Sequence, residues 1–276
     1  MMVLTDSGST KTAWLLLDRG EVVAEATSKG LNPHHISRND FLQIIEQAGI
    51  SDWPVNKVAQ VYFYGAGINN EDARATISAW LKDIFEQAVI QADSDLLGAA
   101  RALLGRQAGI AGILGTGANS GFYDGRAIQQ QVLPLGYLLG DEGSGFALGR
   151  QFIKGFLRQE LPENLHQAFR DWYPGYEKLP AAIYDSPTPA AMLAAFVPFL
   201  YEHRADDYIR QLLVGEFDRY FALLEAYPAG LPVALVGSVA WHFREEVEQA
   251  ARQHDRHIWQ IAQSPLPGLQ RYHTTG

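Results

Sequence analysis

A carboxylate and a turn of small residues stand close to the N-terminus, in the stretch TDSGSTKTAWLLLD from Thr5 to Asp18. Asp6 ends a short apolar run, and the turn after it consists of Ser7, Gly8, Ser9, Thr10 and Lys11. Residues without bulk allow backbone N–H groups to approach a phosphate closely, and a carboxylate suits Mg²⁺ or its bound waters. An ordinary hairpin turn is the alternative, because Asp, Ser and Gly are also preferred in such turns.

A second turn of this kind, GTGANSG from Gly115 to Gly121, follows an apolar run at the matching place in the second half of the chain. A hairpin explains each turn separately, but it does not explain why there are two. One turn in each half could bind the phosphate chain of ATP from opposite sides, so the pair favours a nucleotide site.

Two further stretches place glycine beside polar residues. In LGDEGSG, Leu139 to Gly145, the carboxylates of Asp141 and Glu142 precede a predicted helix, where they could cap the helix or bind a ligand or metal ion. In LVGSVA, Leu235 to Ala240, an apolar strand passes through Gly and Ser into a helix. The second stretch is either an ordinary strand-to-helix turn or a wall for adenine and ribose.

The composition excludes several other classes of protein and site. The chain of 276 residues is 47% apolar and 19% charged, which is enough for a buried core in one large or two ordinary domains. Its net charge of -9 argues against nucleic-acid binding, and the absence of cysteine excludes disulfides, thiolate zinc sites and iron–sulfur clusters. The P-loop, Rossmann, nucleophile-elbow and zincin motifs do not occur. Because no signal peptide or membrane-spanning stretch is recognised, we expect a soluble cytoplasmic protein.

The elements that must position these turns alternate between strands and helices. In the first half, strands are predicted at Val3–Thr5, Ala13–Leu17, Glu21–Ala26, Val58–Tyr64 and Val89–Ala92, and helices at Phe41–Ala48, Asn70–Phe85 and Asp93–Leu104. In the second half, strands are predicted at Gly109–Leu114, Ser120–Tyr123, Ala127–Val132, Pro232–Val236 and His257–Ile261, with helices over most of Phe146–Tyr227 and at Val239–Gln253, and a last segment at Gly268–Tyr272. Both halves open with a strand, a tight turn, a strand, a turn and a strand, which indicates two mixed α/β domains facing each other.

Five stretches in this order, DSGSTKT, SDLLGAA, GTGANS, LGDEGSG and VGSV, resemble the N-acetylglucosamine kinases. These kinases group with the activator ATPases of the benzoyl-CoA reductase and 2-hydroxyacyl-CoA dehydratase systems, in the superfamily of actin, Hsp70 and the sugar kinases. The resemblance extends to PLPGL, Pro265–Leu269, and so covers nearly the whole chain. It implies an α/β fold of two ribonuclease-H-like domains, residues 1–106 and 107–276, with mixed five-stranded sheets around an ATP cleft and a helical insertion in the second domain, at residues 146–227.

The resemblance also implies roles for individual residues. The ATP phosphates would be bound by Gly8, Ser9, Thr10 and Lys11 in the first turn and by Thr116 and Gly117 in the second. Asp6 would serve Mg²⁺, through water, and Gly237 and Ser238 match the adenosine motif. The sugar would be contacted by Asn32, Ala118, Asn119, Gly136, Tyr137 and Asp141, and a metal role for Asp141 stays open.

Asp95 matches the catalytic aspartate of this family. A sugar kinase needs a carboxylate that accepts the proton of the acceptor hydroxyl as this hydroxyl attacks the γ-phosphate. Asp93 is the competing residue, and helix capping is an alternative role for both. The spacing to Gly98 fits the family and favours Asp95.

One departure concerns the loop after the third strand, which reads Leu-Asn-Pro-His-His from Leu31 to His35, whereas many relatives carry Thr-Asn-His. The sugar therefore stays open among N-acetylglucosamine, N-acetylmuramic acid, glucosamine and another hexose. His34 and His35 could bind a metal ion, but adjacent histidines in a loop are more often polar surface.

The sequence thus predicts an ATP- and Mg²⁺-dependent kinase that phosphorylates the 6-hydroxyl of an N-acetylated amino sugar, with N-acetylglucosamine favoured. The rival is an ATP-hydrolysing switch or activator that acts on a protein partner; its iron–sulfur form is excluded because the chain has no cysteine. Neither nucleic acid nor membrane is an expected partner. The apolar residues of the helical stretch, among them Phe196, Phe199, Leu200, Leu212, Leu213, Phe217 and Phe221, favour an internal core, with a homodimer face as the alternative.

Overall fold

Two five-stranded sheets form the framework of the protein, which is described here by a computed structural model covering residues 1–275. The first sheet contains β1 (Met2–Ser7), β2 (Lys11–Asp18), β3 (Glu21–Lys29), β4 (Gln60–Gly65) and β5 (Val89–Ser94). The strand order is β3-β2-β1-β4-β5. β1 pairs antiparallel with β2 and parallel with β4, so the carboxyl ends of β1, β4 and β5 lie at one edge of the sheet.

The second sheet contains β6 (Gly109–Leu114), β7 (Ala118–Tyr123), β8 (Ile128–Gln130), β9 (Val233–Val236) and β10 (Ile258–Ala262). Its order is β10-β9-β6-β7-β8, with β9 parallel to both β6 and β10. The central strand of each sheet is therefore the first strand of its half, and the following strands occupy matching positions. The α/β fold with two mixed five-stranded sheets is confirmed.

Four helices accompany the first sheet, namely α1 (Arg38–Gln47), α2 (Glu71–Ile84), α3 (Asp95–Leu104) and the C-terminal α13 (Leu266–Thr274). The starts of three of them follow from local sequence. Ser37 and Asp40 form a capping box at α1, Asn70 caps α2 and Ser94 caps α3. The prediction that α3 begins at Asp93 is wrong, because Asp93 and Ser94 still pair with β4 at the end of β5.

The helices of the second sheet are α4 (Gly136–Leu139), α5 (Gly145–Leu157), α6 (Glu163–Trp172), α7 (Leu179–Asp185), α8 (Pro189–Ala194), α9 (Val197–Glu202), α10 (Asp207–Leu224), α11 (Ser238–His242) and α12 (Arg244–Gln253). The predicted helical insertion is thus present as α5 to α10. The single helix predicted at Val239–Gln253 is divided at Phe243, whose φ of −103° and ψ of 36° are not helical.

The aromatic side chains of the helical insertion, α5 to α10, form much of the hydrophobic core of the second half. Phe199, Phe217 and Phe221 are fully buried and pack with the apolar faces of α5, α10 and α12. Internal burial therefore accounts for these residues, and homodimer formation stays a prediction. Within residues 1–275, no helix has both the length and the apolar composition needed to cross a membrane.

The chain divides into two compact units. The first contains Met1–Gln107, Tyr123–Ala127 and the segment from Ser264 onward, and the second contains Ala108–Phe122 and Ile128–Gln263. This differs from the predicted division, in which the second domain continued to the C-terminus. The physical reason is that α13 packs on α3, where a Cβ at Gly268 would lie only 2.2 Å from the carbonyl oxygen of Ala102.

Candidate active site

The turn between β1 and β2 has buried hydroxyl side chains at its base and exposed residues at its tip. Ser7 and Thr12 are buried, and their side-chain oxygens lie 2.8 Å apart. The N–H of Leu31 donates to Oγ of Ser7 at 3.1 Å, which ties the chain after β3 to the turn. Ser9, Thr10 and Lys11 are exposed, whereas Gly8 is half-buried. The residues predicted to bind phosphate therefore lie on a hairpin whose base is hydrogen-bonded and buried.

Glycine is required beside this turn. A Cβ at Gly30 would lie 2.5 Å from the carbonyl oxygen of Gly8 and 2.6 Å from that of Ser9. The N–H of Gly30 instead donates to the carbonyl of Thr10 at 3.1 Å. The close approach fixes the backbone of the turn, and Gly30 is a supporting residue that the motifs did not include.

The carboxylates of Asp6 and Asp95 are close enough to influence each other. Burial and, to a lesser extent, the charge of Asp95 raise the pKa of Asp6 to about 7, against the opposing charge of Lys11. Burial also raises the pKa of Asp95 to about 6, although the N–H of Leu96 donates to its Oδ1 at 2.8 Å and stabilises the charge. Two carboxylates in a poorly hydrated place favour a nearby cation or proton donor.

Asp93 differs from Asp95 in its partners. Its Oδ1 lies 3.4 Å from Nη2 of Arg74, and its Oδ2 lies 3.3 Å from Nη1 of Arg101. No lysine, arginine or histidine pairs with Asp95 in the part of the chain that the structure describes. Asp93 is thus part of an ion-pair network, whereas Asp95 retains a carboxylate that can accept a proton.

Asn32 forms a turn after β3. Its Oδ1 accepts a hydrogen bond from the N–H of His34 at 3.0 Å, and its side chain lies against Gly67. Nε2 of His34 lies 3.1 Å from the carbonyl oxygen of Gly67, so this histidine is used within the loop. Among residues 1–275, no group of three His, Asp or Glu side chains could hold a metal ion by itself.

The second turn is tied to the start of α5. The N–H groups of Gly145 and Phe146 donate to the carbonyls of Gly115 and Thr116 at 2.8 and 3.0 Å. Ser144 caps the same helix by accepting from the N–H of Ala147 at 3.1 Å. The stretches GTGANSG and LGDEGSG are therefore brought together in the second unit.

The stretch LVGSVA, Leu235 to Ala240, lies against the second turn at Gly115 and Thr116. Gly237 has a φ of 124°, and a Cβ there would lie 2.2 Å from the carbonyl oxygen of Leu114. Only glycine allows this approach between the ends of β6 and β9. As a result, Gly237 and Ser238 lie beside Gly115 and Thr116.

A pocket with a cavity volume of about 350 Å³ opens at this junction. This volume lies in the range of small-molecule sites, roughly 300–1,000 Å³. Thr116 and Ser238 line the pocket together with Val197, Tyr201 and His242. The contribution of α8 and α9 to this pocket was not predicted, because their apolar residues cannot be told from core residues by sequence pattern alone.

Asp141 shapes a second, smaller pocket. Its backbone is left-handed, with a φ of 63°, and its Oδ1 accepts a hydrogen bond from the N–H of Ala118 at 3.1 Å. Burial raises the pKa of Asp141, the Ala118 N–H lowers it, Glu142 raises it and Arg150 lowers it, with a net upward shift. Asn119 lines the same pocket, and its Oδ1 accepts from Nε2 of Gln131 at 2.8 Å.

The rest of this pocket is apolar. Val132, Leu133, Pro134 and Leu135 form one wall, and among the described residues no lysine, arginine or histidine lines the pocket. Gly136 and Tyr137 follow directly but do not line the pocket, and the Tyr137 ring packs edge-on against Phe146 at 5.5 Å. Among the predicted sugar residues of the second unit, Ala118, Asn119 and Asp141 are therefore brought together, whereas Gly136 and Tyr137 are not.

No protein-family model matches the chain, and a search of the curated proteins finds no similar sequence. Solved structures do match. A candidate N-acetylglucosamine kinase from Porphyromonas gingivalis is 35% identical, with 100% of this chain and 99% of that chain covered and a TM-score of 0.96. A candidate N-acetylglucosamine kinase from Chromobacterium violaceum is 22% identical, with 98% of each chain covered and a TM-score of 0.73.

A more distant likeness concerns a ROK family glucokinase from Streptomyces griseus, solved in complex with glucose and AMPPNP. It is 14% identical, with 98% of this chain and 97% of that chain covered and a TM-score of 0.58, which is a likeness of fold. The identity and full coverage of the Porphyromonas protein, together with the shared architecture, show the family. The chain belongs to the N-acetylglucosamine kinase-like family.

Proposed function

We propose that the protein is an ATP-dependent kinase that transfers the γ-phosphoryl group to the 6-hydroxyl of an uncharged, N-acetylated amino sugar, with N-acetylglucosamine as the favoured substrate. The observation that carries this proposal is the environment of Asp95. This carboxylate stands at the start of α3, without a cationic partner among the described residues and with its pKa raised to about 6. It is therefore ionised at neutral pH yet basic enough to accept a proton.

In the proposed reaction, the 6-hydroxyl oxygen attacks the γ-phosphorus and its proton passes to Asp95. The bond between the γ-phosphorus and the bridging oxygen of ADP breaks as the new phosphorus–oxygen bond forms. Catalysis of this kind depends mainly on positioning and electrostatics. The products are the sugar 6-phosphate and ADP.

The nucleotide is assigned to the glycine-lined turns. Gly8, Ser9, Thr10 and Lys11, and likewise Thr116 and Gly117, would bind the phosphates through backbone N–H groups and hydroxyls. Gly237 and Ser238 would bind adenosine, in the pocket of about 350 Å³ to which Tyr201 also contributes. The complex of the Streptomyces glucokinase with AMPPNP supports the use of ATP.

Asp6 fits a magnesium role. Mg²⁺ bound with nucleotide phosphates uses one or two carboxylates and several waters rather than a cage of protein ligands. A cation beside Asp6 would stabilise the charged form of this carboxylate, whose pKa is raised by burial and by Asp95. When bound, Mg²⁺ would neutralise charge on the phosphates.

The smaller pocket of the second unit supports an uncharged acylated sugar. Asn119, Asp141 and the backbone of Ala118 supply polar groups for hydroxyls, and the wall from Val132 to Leu135 suits an acyl methyl group. Asp141 and Glu142 line the pocket, and in the described part of the chain Arg150 is the one cation whose charge is seen to act on Asp141, so the two carboxylates together would disfavour a sugar acid. Asn32 of the first unit stays a predicted sugar residue.

The decisive experiment replaces Asp95 by Asn and measures sugar-dependent release of ADP in a coupled assay. We expect Asp95→Asn to abolish transfer while binding of an ATP analogue persists, because the amide cannot accept the proton. Asp83→Asn is the control, with the same chemical change at a carboxylate of the first unit that pairs with Arg38 at 2.8 Å between α2 and α1; it should lose little stability and retain turnover.

Near-normal turnover of Asp95→Asn would refute the assignment of the base. Hydrolysis that is independent of sugar and stimulated by a protein would instead support the rival function, an ATP-driven switch.

A further inference from the structure

Tyr64 lies between the two carboxylate-bearing strands of the first sheet. In the register of the parallel strands it is the partner of Asp6 on β1 and of Asp93 on β5. Its ring packs closely against α3, since a Cβ at Gly98 would lie 2.7 Å from Cγ of Tyr64. Gly98 is one turn after Asp95, so the first turn of α3 rests directly on this tyrosine.

The phenol oxygen of Tyr64 is the centre of a directed chain of hydrogen bonds. Nη1 of Arg101 donates to it at 2.9 Å, and Nε2 of His273 lies 2.9 Å away. Because a guanidinium can only donate, Tyr64 accepts from Arg101 and keeps its own proton for donation, and Nε2 of His273 can accept that proton in the tautomer protonated at Nδ1. Burial and the charge of Arg101 lower the pKa of His273 to about 4, so the ring is neutral at physiological pH.

The C-terminal helix supplies this acceptor from a well-packed position. The ring of His273 stacks on Tyr62 with 3.7 Å between centroids, and α13 approaches α3 closely at Gly268. Arg101 is anchored in turn by Asp93 at 3.3 Å. One chain of contacts therefore joins the end of β5, the middle of α3 and the last helix.

We propose that Tyr64, Arg101 and His273 are positioning residues that hold the first turn of α3, and with it the carboxylate of Asp95, in the orientation required for proton acceptance. The inference rests on the proposed function for its kinetic consequence, and on the geometry alone for its structural consequence. None of the three residues needs to touch substrate. The C-terminal helix is accordingly part of the catalytic architecture rather than a peripheral addition.

A pair of variants at His273 tests the hydrogen bonds that join Arg101, Tyr64 and His273. His273→Leu removes the acceptor, whereas His273→Gln loses the same imidazole stacking on Tyr62 but retains an amide oxygen that can accept from Tyr64. Tyr64→Phe removes the hydroxyl and keeps the ring beneath Gly98. Arg38→Gln is the control, since it removes an ion pair of the same unit, between Nε of Arg38 and Oδ2 of Asp83 at 2.8 Å, that joins α1 to α2.

Two readouts separate positioning from general stability. The first is hydrogen exchange at the N–H groups of Leu96 and Leu97, which are bonded to Asp95 and Ser94 in the first turn of α3. The second is the division of the kinetic effect between kcat and the KM values for ATP and sugar. Displacements of about 1 Å can lower rates by about 100-fold, and we expect about a 10-fold loss of kcat for the smaller shifts that these variants would cause.

We expect His273→Leu and Tyr64→Phe to lower kcat with KM within about twofold and to accelerate exchange in the first turn of α3. His273→Gln should recover most of the kcat and most of the protection from exchange, and Arg38→Gln should leave both unchanged. Unaltered exchange at Leu96 and Leu97 in His273→Leu and Tyr64→Phe would overturn the inference, whatever the enzyme activity. A wild-type protein without sugar-dependent turnover would contradict the proposed function instead, while the exchange measurement would still decide the structural role.

Discussion

At the scale of residues, the chemistry depends on which polar groups have partners. Asp93 and Asp95 are the same residue type, two positions apart, yet ion pairs with Arg74 and Arg101 neutralise the first, while the second has backbone donors. Gly237 shows the same dependence on surroundings, because its φ of 124° and its approach to Leu114 admit no side chain.

We therefore expect Gly237→Ala to lower the free energy of unfolding by about 2 kcal/mol or more, from backbone strain and the clash with Leu114. Gly215→Ala is the matched control within α10, where an added Cβ meets nothing within 4 Å. It should stabilise the protein by about 0.5–1 kcal/mol, since glycine is unfavourable inside a helix. Urea unfolding measures both, and unchanged stability of Gly237→Ala would contradict the strained turn.

At the scale of elements, the long helix α10 and the amphipathic α12 are joined by His254. Its Nδ1 lies 2.7 Å from Oε1 of Glu225, and its Nε2 lies 2.8 Å from Oδ1 of Asp218. Partial burial lowers the pKa of His254, but the hydrogen bonds and charges of the two carboxylates outweigh it, and the net shift is upward. The imidazolium form thus bridges the two helices.

A histidine with a raised pKa in the folded state contributes its stability below the pKa of the unfolded state, about 6.5. This contribution is lost as the pH rises through the folded-state pKa. We expect His254→Gln to destabilise the protein more at pH 5.5 than at pH 8.5, by less than about 1 kcal/mol because both carboxylates are largely exposed. Urea unfolding at the two pH values measures the difference, and a larger effect at pH 8.5 would contradict the bridge.

At the scale of the whole molecule, each unit has the same strand order around a central first strand, and each presents its glycine-lined turn directly after that strand. A local fold used twice explains why the two phosphate turns occur at matching places along the chain. That both turns serve one ATP molecule stays a prediction.

A ligand that binds the folded protein must raise its apparent stability, by about 2.7 kcal/mol at 100 times its Kd. In a thermal-shift screen with a non-hydrolysable ATP analogue, we expect N-acetylglucosamine to raise the Tm clearly and glucosamine to raise it less, because an ammonium group fits the apolar wall poorly. N-acetylmuramic acid should have little effect, since Asp141 and Glu142 repel its carboxylate. Equal shifts for the neutral and the acidic sugar would contradict this selection by charge, and no shift with any sugar would argue against a sugar kinase.

The sequence by itself determined the local features. Apolar runs broken by glycine predicted most of the strands, and the residues Ser37, Ser94 and Ser144 cap helices because their hydroxyls accept from N–H groups a few positions away. The motif order was sufficient to identify the family and the fold. These signals are readable because each depends on neighbours along the chain.

The tertiary structure alone decided which groups meet over long sequence separations. It showed that α13 packs on α3 and that His273 reaches Tyr64, 209 positions earlier in the chain. It also showed that α8 and α9 line the larger pocket and that Asp93, not Asp95, is neutralised by arginines. Burial, ion pairing and pKa depend on atoms within a few ångströms, and a linear pattern does not specify which distant residues those atoms belong to.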